Sequence, residues 1–139
     1  MDADERREAN KAKIRELFTN LYEWADRDTD FFRDYYVDDV VMEMPQMGYR
    51  VESLDELMFG IQSVRQNFTH YRHGTMDFHD CLDPDEVIWE ADADATFPHS
   101  GEPYVQRYVL FVKMRDGKIT HYREYVNTAA LAGFPRPDA

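Results

Sequence analysis

Residues 118–127 read KITHYREYVN and alternate in the manner of a β-strand. They follow a turn at Arg115-Asp116-Gly117-Lys118. One parity carries Ile119, His121, Arg123 and Tyr125; the other carries Thr120, Tyr122, Glu124 and Val126. Two more alternating stretches precede it. Tyr104 to Met114 separates Tyr104, Gln106, Tyr108, Leu110, Val112 and Met114 from Val105, Arg107, Val109, Phe111 and Lys113. Glu86 to Phe97 separates Val87, Trp89, Ala91, Ala93, Ala95 and Phe97 from Ile88, Glu90, Asp92, Asp94 and Thr96. In a three-stranded meander, charges pair best when Glu90, Asp92 and Asp94 share a face with Arg107, Lys113, His121 and Arg123. The opposite face is then apolar and aromatic, and Glu124 is the only formal charge on it. A single bulge in the wrong place reverses that assignment.

The rest of the chain supplies helices. Residues 4–26 carry a stripe of Ile14, Leu17, Phe18, Leu21, Tyr22 and Ala25, which predicts a first helix. Thr29 and Asp30 are placed to cap a second, short one running to Tyr35 and Tyr36. Val40 to Met44 reads as a strand stopped by Pro45. Ser53-Leu54-Asp55-Glu56 is a capping box opening a third helix to about Phe68. His73 to Cys81 reads as a strand, and Leu82-Asp83-Pro84-Asp85 as a turn. A short apolar tail follows Asn127, with Leu131 and Phe134 packed and Gly133 and Pro135 ending any helix. Helices first and a meander after describe a single α+β domain over residues 1–139. A curved antiparallel sheet wrapped on a long helix encloses a pocket lined by the face that carries Glu124.

Composition narrows the partners. The 139 residues are 43% hydrophobic and 14% aromatic, enough to bury a core. The net charge of −12 argues against nucleic acid and against an anionic membrane. Cys81 stands alone, which excludes an internal disulfide and suits a reducing compartment. The charged start, MDADERREANK, is unlike a signal peptide, and no apolar run has the length of a membrane span. A cytoplasmic protein is expected.

The order of elements resembles the cone-shaped α+β barrel shared by nuclear transport factor two, ketosteroid isomerase and the SnoaL-like polyketide cyclases. The end of the chain is similar to the phenazine-biosynthesis A/B proteins: Gly117-Lys118-Ile119, then Arg123-Glu124-Tyr125-Val126-Asn127, then Leu131 and Gly133. In that family the Glu of this motif points into the cavity and acts as an acid/base group. The resemblance therefore assigns that role to Glu124. Glu52-Ser53-Leu54 matches a further run of that family, but Val51 stands where the family has His. The ketosteroid isomerase pattern is absent: Met44 follows Glu43 in place of the base, Phe18 falls near the helix-one Tyr, and Leu110 or Phe111 near the buried Asp. Arg107-Tyr108-Val109 lacks the Asp of the Arg-x-Asp used by the epoxide-hydrolase branch.

A carboxyl in an apolar cavity is desolvated, so its pKa rises toward neutrality and it exchanges protons with a bound substrate near pH 7. Glu124, with Tyr122 and with His99 at the Phe97–Gly101 hairpin tip, forms the candidate catalytic set. Phe18, Tyr22, Met44, Met76, Trp89, Phe97, Tyr108 and Leu110 are the candidate substrate contacts, and Met42 also suits a flat ligand. The tyrosines and methionines suit a core better than a ligand contact, and Glu124 equally suits a structural network. His70-x-x-His73 with Asp77 and His79 fits no metal spacing, so no metal is assigned. With no phosphate loop, dinucleotide fingerprint or nucleophile elbow, no cofactor is expected. The expected activity is isomerisation, cyclisation or condensation of a small apolar or aromatic molecule in natural-product biosynthesis. An epoxide-opening cyclase or hydrolase, or a non-catalytic binding or dimerisation module, are the alternatives. Glu90, Asp92 and Asp94 against Arg107 and Arg123, with Val109 and Phe111 among them, suit a homodimer interface on the outer face.

Overall fold

A computed structural model describes residues 1–133 of the chain. Helix α1 spans Ala3–Asn20, capped by the Asp2 carboxylate, which accepts the Glu5 amide at 2.8 Å. It ends six residues short of the predicted 26. The Asn20 amide turns back to donate to the Glu16 carbonyl at 2.9 Å, and a single 3-10 turn follows at Trp24–Asp26. Leaving the helix there carries Tyr22 toward the sheet. Helix α2, Thr29–Phe32, is capped by Asp28 rather than by Thr29 or Asp30. Helix α3, Leu54–Asn67, opens on Ser53, whose hydroxyl accepts the Glu56 amide at 3.2 Å. The Glu56 carboxylate in return accepts the Glu52 amide.

The strands are β1 Tyr36–Met44, β2 Tyr49–Val51, β3 Thr69–His73, β4 Asp77–Asp80, β5 Glu86–Thr96, β6 Pro103–Arg115 and β7 Lys118–Val126. They form one curved sheet in the order β2-β1-β7-β6-β5-β3, with β4 beside β3 along β5. The sheet stays open rather than closing into a barrel. Nor is it wholly antiparallel, because β1 joins β7 in parallel. β1 starts four residues earlier than predicted. Its Asp38-Asp39 pair hid the strand by breaking the alternation, and both side chains are exposed where the β1–β7 register shifts. The single strand predicted at 73–81 is two strands. The break falls at Gly74, whose amide binds the Asp92 carbonyl at 2.6 Å and where a Cβ would crowd that oxygen at 3.3 Å.

The meander of β5, β6 and β7 has the predicted faces. Asp92 lies opposite Arg107, Phe111 opposite Arg123 and Lys113 opposite His121 on the outer side. Leu110 lies opposite Glu124 and Val112 opposite Tyr122 on the inner side. A bulge does occur, at Thr120, where the pairing passes from Lys113–His121 to Met114–Ile119. It overturns the parity of Ile119, which is buried with Tyr122 and does not share the outer face with His121. Because it sits at the start of β7, Glu124 keeps its face. The Arg115–Lys118 turn holds Asp116 at φ 52° and Gly117 at φ 77°, the two left-handed residues that a tight hairpin needs.

The core lies between this concave face and the helices. Ile14, Leu17 and Phe18 of α1 meet Trp89, Leu110 and Val112, while Leu54, Leu57, Met58 and Ile61 of α3 close the other side. Leu131 is partly buried against the same core, in the final 3-10 turn Thr128–Gly133. Phe134 and Pro135 lie outside the described residues. No helix among the described residues is long and apolar enough to cross a membrane.

Candidate active site in the cone

A cavity of about 650 Å³ opens between the sheet and the helices, within the size range of small-molecule sites. Each wall is set by one element. Phe18 comes from α1 and Tyr22 from the turn after it. Met42 and Met44 come from β1, Ile61 and Val64 from α3, and Tyr71 and His73 from β3. Tyr104 and Tyr108 come from β6, and Tyr122, Glu124 and Val126 from β7. Alternation on β6 and β7 explains why these residues converge, since every second side chain faces inward.

Glu124 is the only carboxylate among the lining residues, and none of them is Lys or Arg. It is partly accessible along the cavity wall, and no described residue donates a hydrogen bond or forms an ion pair with it. Desolvation alone raises its pKa from 4.5 to about 7. The phenols around it are held protonated. Burial raises Tyr22, Tyr71, Tyr108 and Tyr122, and the negative charge of Glu124 raises them further. They therefore act as hydrogen-bond donors across the physiological range. Tyr71 and Tyr108 join hydroxyl to hydroxyl, and the Tyr22 and Tyr71 rings are 4.3 Å apart.

His73 completes the polar set. Burial lowers its pKa, so the ring is neutral at pH 7. Its Nδ1 lies 3.1 Å from the Phe18 carbonyl, which only accepts, so Nδ1 carries the proton and Nε2 keeps a lone pair. The ring stands edge-on to Trp89 and Tyr108 at centroid distances of 5.6 and 5.5 Å.

Of the predicted residues, Glu124, Tyr122, Phe18, Tyr22, Met44 and Tyr108 line the cavity, as does Met42. Five do not. Trp89 and Leu110 face the same side of the sheet but are sealed beneath the core that α1 covers, at 0% and 1% exposure. Met76 packs against that core from the β3–β4 connection. Phe97 packs on Phe68 and Tyr104 at 5.3 and 5.6 Å. His99 is exposed at the tip of the β5–β6 hairpin and lies outside the lining. Sequence reasoning missed Tyr71 and His73, because the run Thr69–His73 is polar enough to read as a surface. Their shared parity in Tyr71-Arg72-His73 was the available signal. His70 is exposed and His79 binds Glu90 on the outer face. No group of three or more His, Cys, Asp or Glu among the described residues is arranged to hold a metal ion.

The sequence matches the SnoaL-like domain family over residues 14–122. No curated protein matches it. Among solved structures it is similar to an isomerase candidate from Bacillus subtilis, at 22% identity and a TM-score of 0.76, covering 94% of this chain and 93% of that one. It is similar to a phenazine biosynthesis-related protein from Pseudomonas aeruginosa, at 19% identity and a TM-score of 0.76, covering 98% and 92%. It is also similar to a polyketide cyclase candidate from Streptomyces antibioticus, at 16% identity and a TM-score of 0.73, covering 88% and 95%. At these identities the likeness is one of fold.

Proposed function

The chain belongs to the SnoaL-like domain family, and on that premise we propose that it is an isomerase or cyclase of natural-product metabolism in which Glu124 moves protons. One observation carries the reading: the cavity's single carboxyl has no protein partner and is poised near pH 7. A carboxyl half-ionised at working pH serves equally as acid and as base. Protonated, Glu124 donates to a substrate oxygen. Ionised, it accepts a proton from an activated carbon. Returning that proton to a second carbon completes an isomerisation with no net proton change. The Tyr22 and Tyr122 hydroxyls supply donors to a developing enolate oxygen. The Nε2 lone pair of His73 is a second acceptor on the cavity wall. The polyketide cyclase candidate and the phenazine biosynthesis-related protein among the structural neighbours support this class of chemistry. Arg107 is held on the outer face by Glu90 and Asp92, so it offers nothing to a cavity-bound epoxide, which favours the isomerase reading.

Carboxyl-carbon NMR on labelled protein tests the proposal. The Glu124 resonance is expected to titrate with a midpoint at or above 6. A midpoint near 4 means a solvated or paired carboxylate and overturns acid/base catalysis by this residue.

We also propose that the outer sheet face pairs two copies of the chain. Val105 is 62% exposed there, Phe111 meets Tyr125 edge to face, and the Arg123 guanidinium lies over the Phe111 ring, 5.0 Å from its centre. Light scattering at micromolar concentration is expected to give twice the chain mass, and Val105→Asp to reduce it to one. A native protein with the mass of one chain removes the dimer.

A further inference from the structure

The charge inventory of the cavity points to the kind of molecule that fills it. Its wall holds one carboxylate and no Lys or Arg, and its one imidazole is kept neutral by burial. An anionic ligand would meet the ionised Glu124 with no cation on the wall to offset either charge. A neutral ligand can hydrogen-bond the carboxyl but leaves its ionised form without a countercharge. A cation supplies the countercharge that the wall lacks.

The rings around the carboxylate favour the same ligand. Tyr22, Tyr71, Tyr104, Tyr108, Tyr122 and Phe18 line the cavity with aromatic rings, the tyrosines adding phenol oxygens, and tyrosine faces attract organic ammonium groups. The surroundings agree as well. The chain carries a net charge of −12. Beside the cavity, next to Tyr49, a groove is edged by Asp55 and Glu56, and its one cation, Arg50, is already bound by Glu43 and Glu52. A field of that sign raises the local concentration of cations.

We propose that the cavity binds an organic cation, a molecule with a quaternary or protonated amine nitrogen that sits against the Glu124 carboxylate within the tyrosine rings. This rests on the reading above, since it uses the same carboxylate, and it names the class of substrate: a bound cation holds Glu124 ionised, so in the complex it starts as the base.

The test uses benzyltrimethylammonium and its uncharged carbon isostere, neopentylbenzene, titrated into the full chain and followed by amide NMR at pH 8. The cation is permanently charged, so only the protein titrates. The titratable neighbours of Glu124 are phenols with raised pKa values, Tyr22, Tyr36, Tyr71, Tyr104, Tyr108 and Tyr122, and the neutral His73. None of them gains or loses charge between pH 7 and 8. The cation is expected to bind at least ~10-fold tighter than the isostere, and Glu124→Gln to erase that preference. Equal affinities in the native protein, a preference that survives Glu124→Gln, or no binding of the cation at millimolar concentration overturns the proposal. Should Glu124→Gln not fold, the Glu124 carboxyl midpoint in native protein decides. Saturating cation is expected to lower it by at least ~1 pH unit, and an unchanged midpoint refutes the contact. The two readings fail separately. A free-protein midpoint near 4 with the cation still preferred removes acid/base catalysis alone. A midpoint near 7 with no cation preference removes this proposal alone.

Discussion

Glu124→Gln is expected to make the protein more stable at pH 8 and nearly inactive. The acid has a folded pKa near 7 against 4.5 when unfolded, so the folded state holds its proton more tightly. Stability contributed by this group is therefore greatest at low pH. It falls as pH rises from about 4.5 to 7 and is constant above. The shift corresponds to at most about 3 kcal/mol, reduced by whatever water enters the cavity. Glutamine keeps the shape without the charge. Denaturation curves of the two proteins should coincide near pH 4 and diverge up to pH 7, with the variant more stable above it. Turnover on a true substrate should drop by about 10²–10⁴-fold, the usual contribution of a positioned acid or base. A variant less stable than the native protein at pH 8 would mean that Glu124 is tied into the structure, with no role as a free cavity group. Stability spent on an unpaired charge is a common cost of a functional site.

Trp89→Ala is expected to lower stability by about 3–5 kcal/mol, a third or more of a typical domain's total. Trp89 is the largest of the fully buried side chains. Phe18 lies 5.0 Å from it, and Phe78 and Leu110 flank it in register on the neighbouring strands. No rearrangement of one helix and three strands refills that volume. The urea midpoint should drop while the slope stays unchanged. A variant with the native midpoint would place the indole on the cavity wall instead of in the core. Trp89→Phe should cost much less. The indole N–H has no hydrogen-bond partner among the described residues, so phenylalanine removes a buried donor that the fold never satisfied.

The contrast between Glu124 and Trp89 shows how far alternation carries. Both lie on inward-facing positions of the meander, and pattern alone distinguishes inward from outward. It does not distinguish a residue under α1 from one beyond its end. That depends on where the helix stops, and α1 stops at Asn20, whose side-chain amide bonds back to the Glu16 carbonyl. The sheet beneath the helix became core at Trp89 and Leu110. The sheet past it became cavity wall at Tyr108, Tyr122 and Glu124. His99 and Phe97 were misplaced for a related reason: the β5–β6 hairpin tip stays exposed and Phe97 turns onto Phe68. His73 was hidden by its polar neighbours Thr69, His70 and Arg72, whose exposure on β3 conceals that Tyr71 and His73 face inward.

By itself, the sequence determined the α+β class, the capped third helix, the three long antiparallel strands and the isolation of one carboxylate on an apolar face. These are local properties, set by side-chain period, capping chemistry and the charge pairs of adjacent strands. The tertiary structure alone decided the parallel joining of β1 to β7, the opening of the sheet, the division of its concave face into core and cavity, and the entry of His73 into the site. Each depends on contacts between segments tens of residues apart, and there the energy lies in packing, which no local pattern encodes.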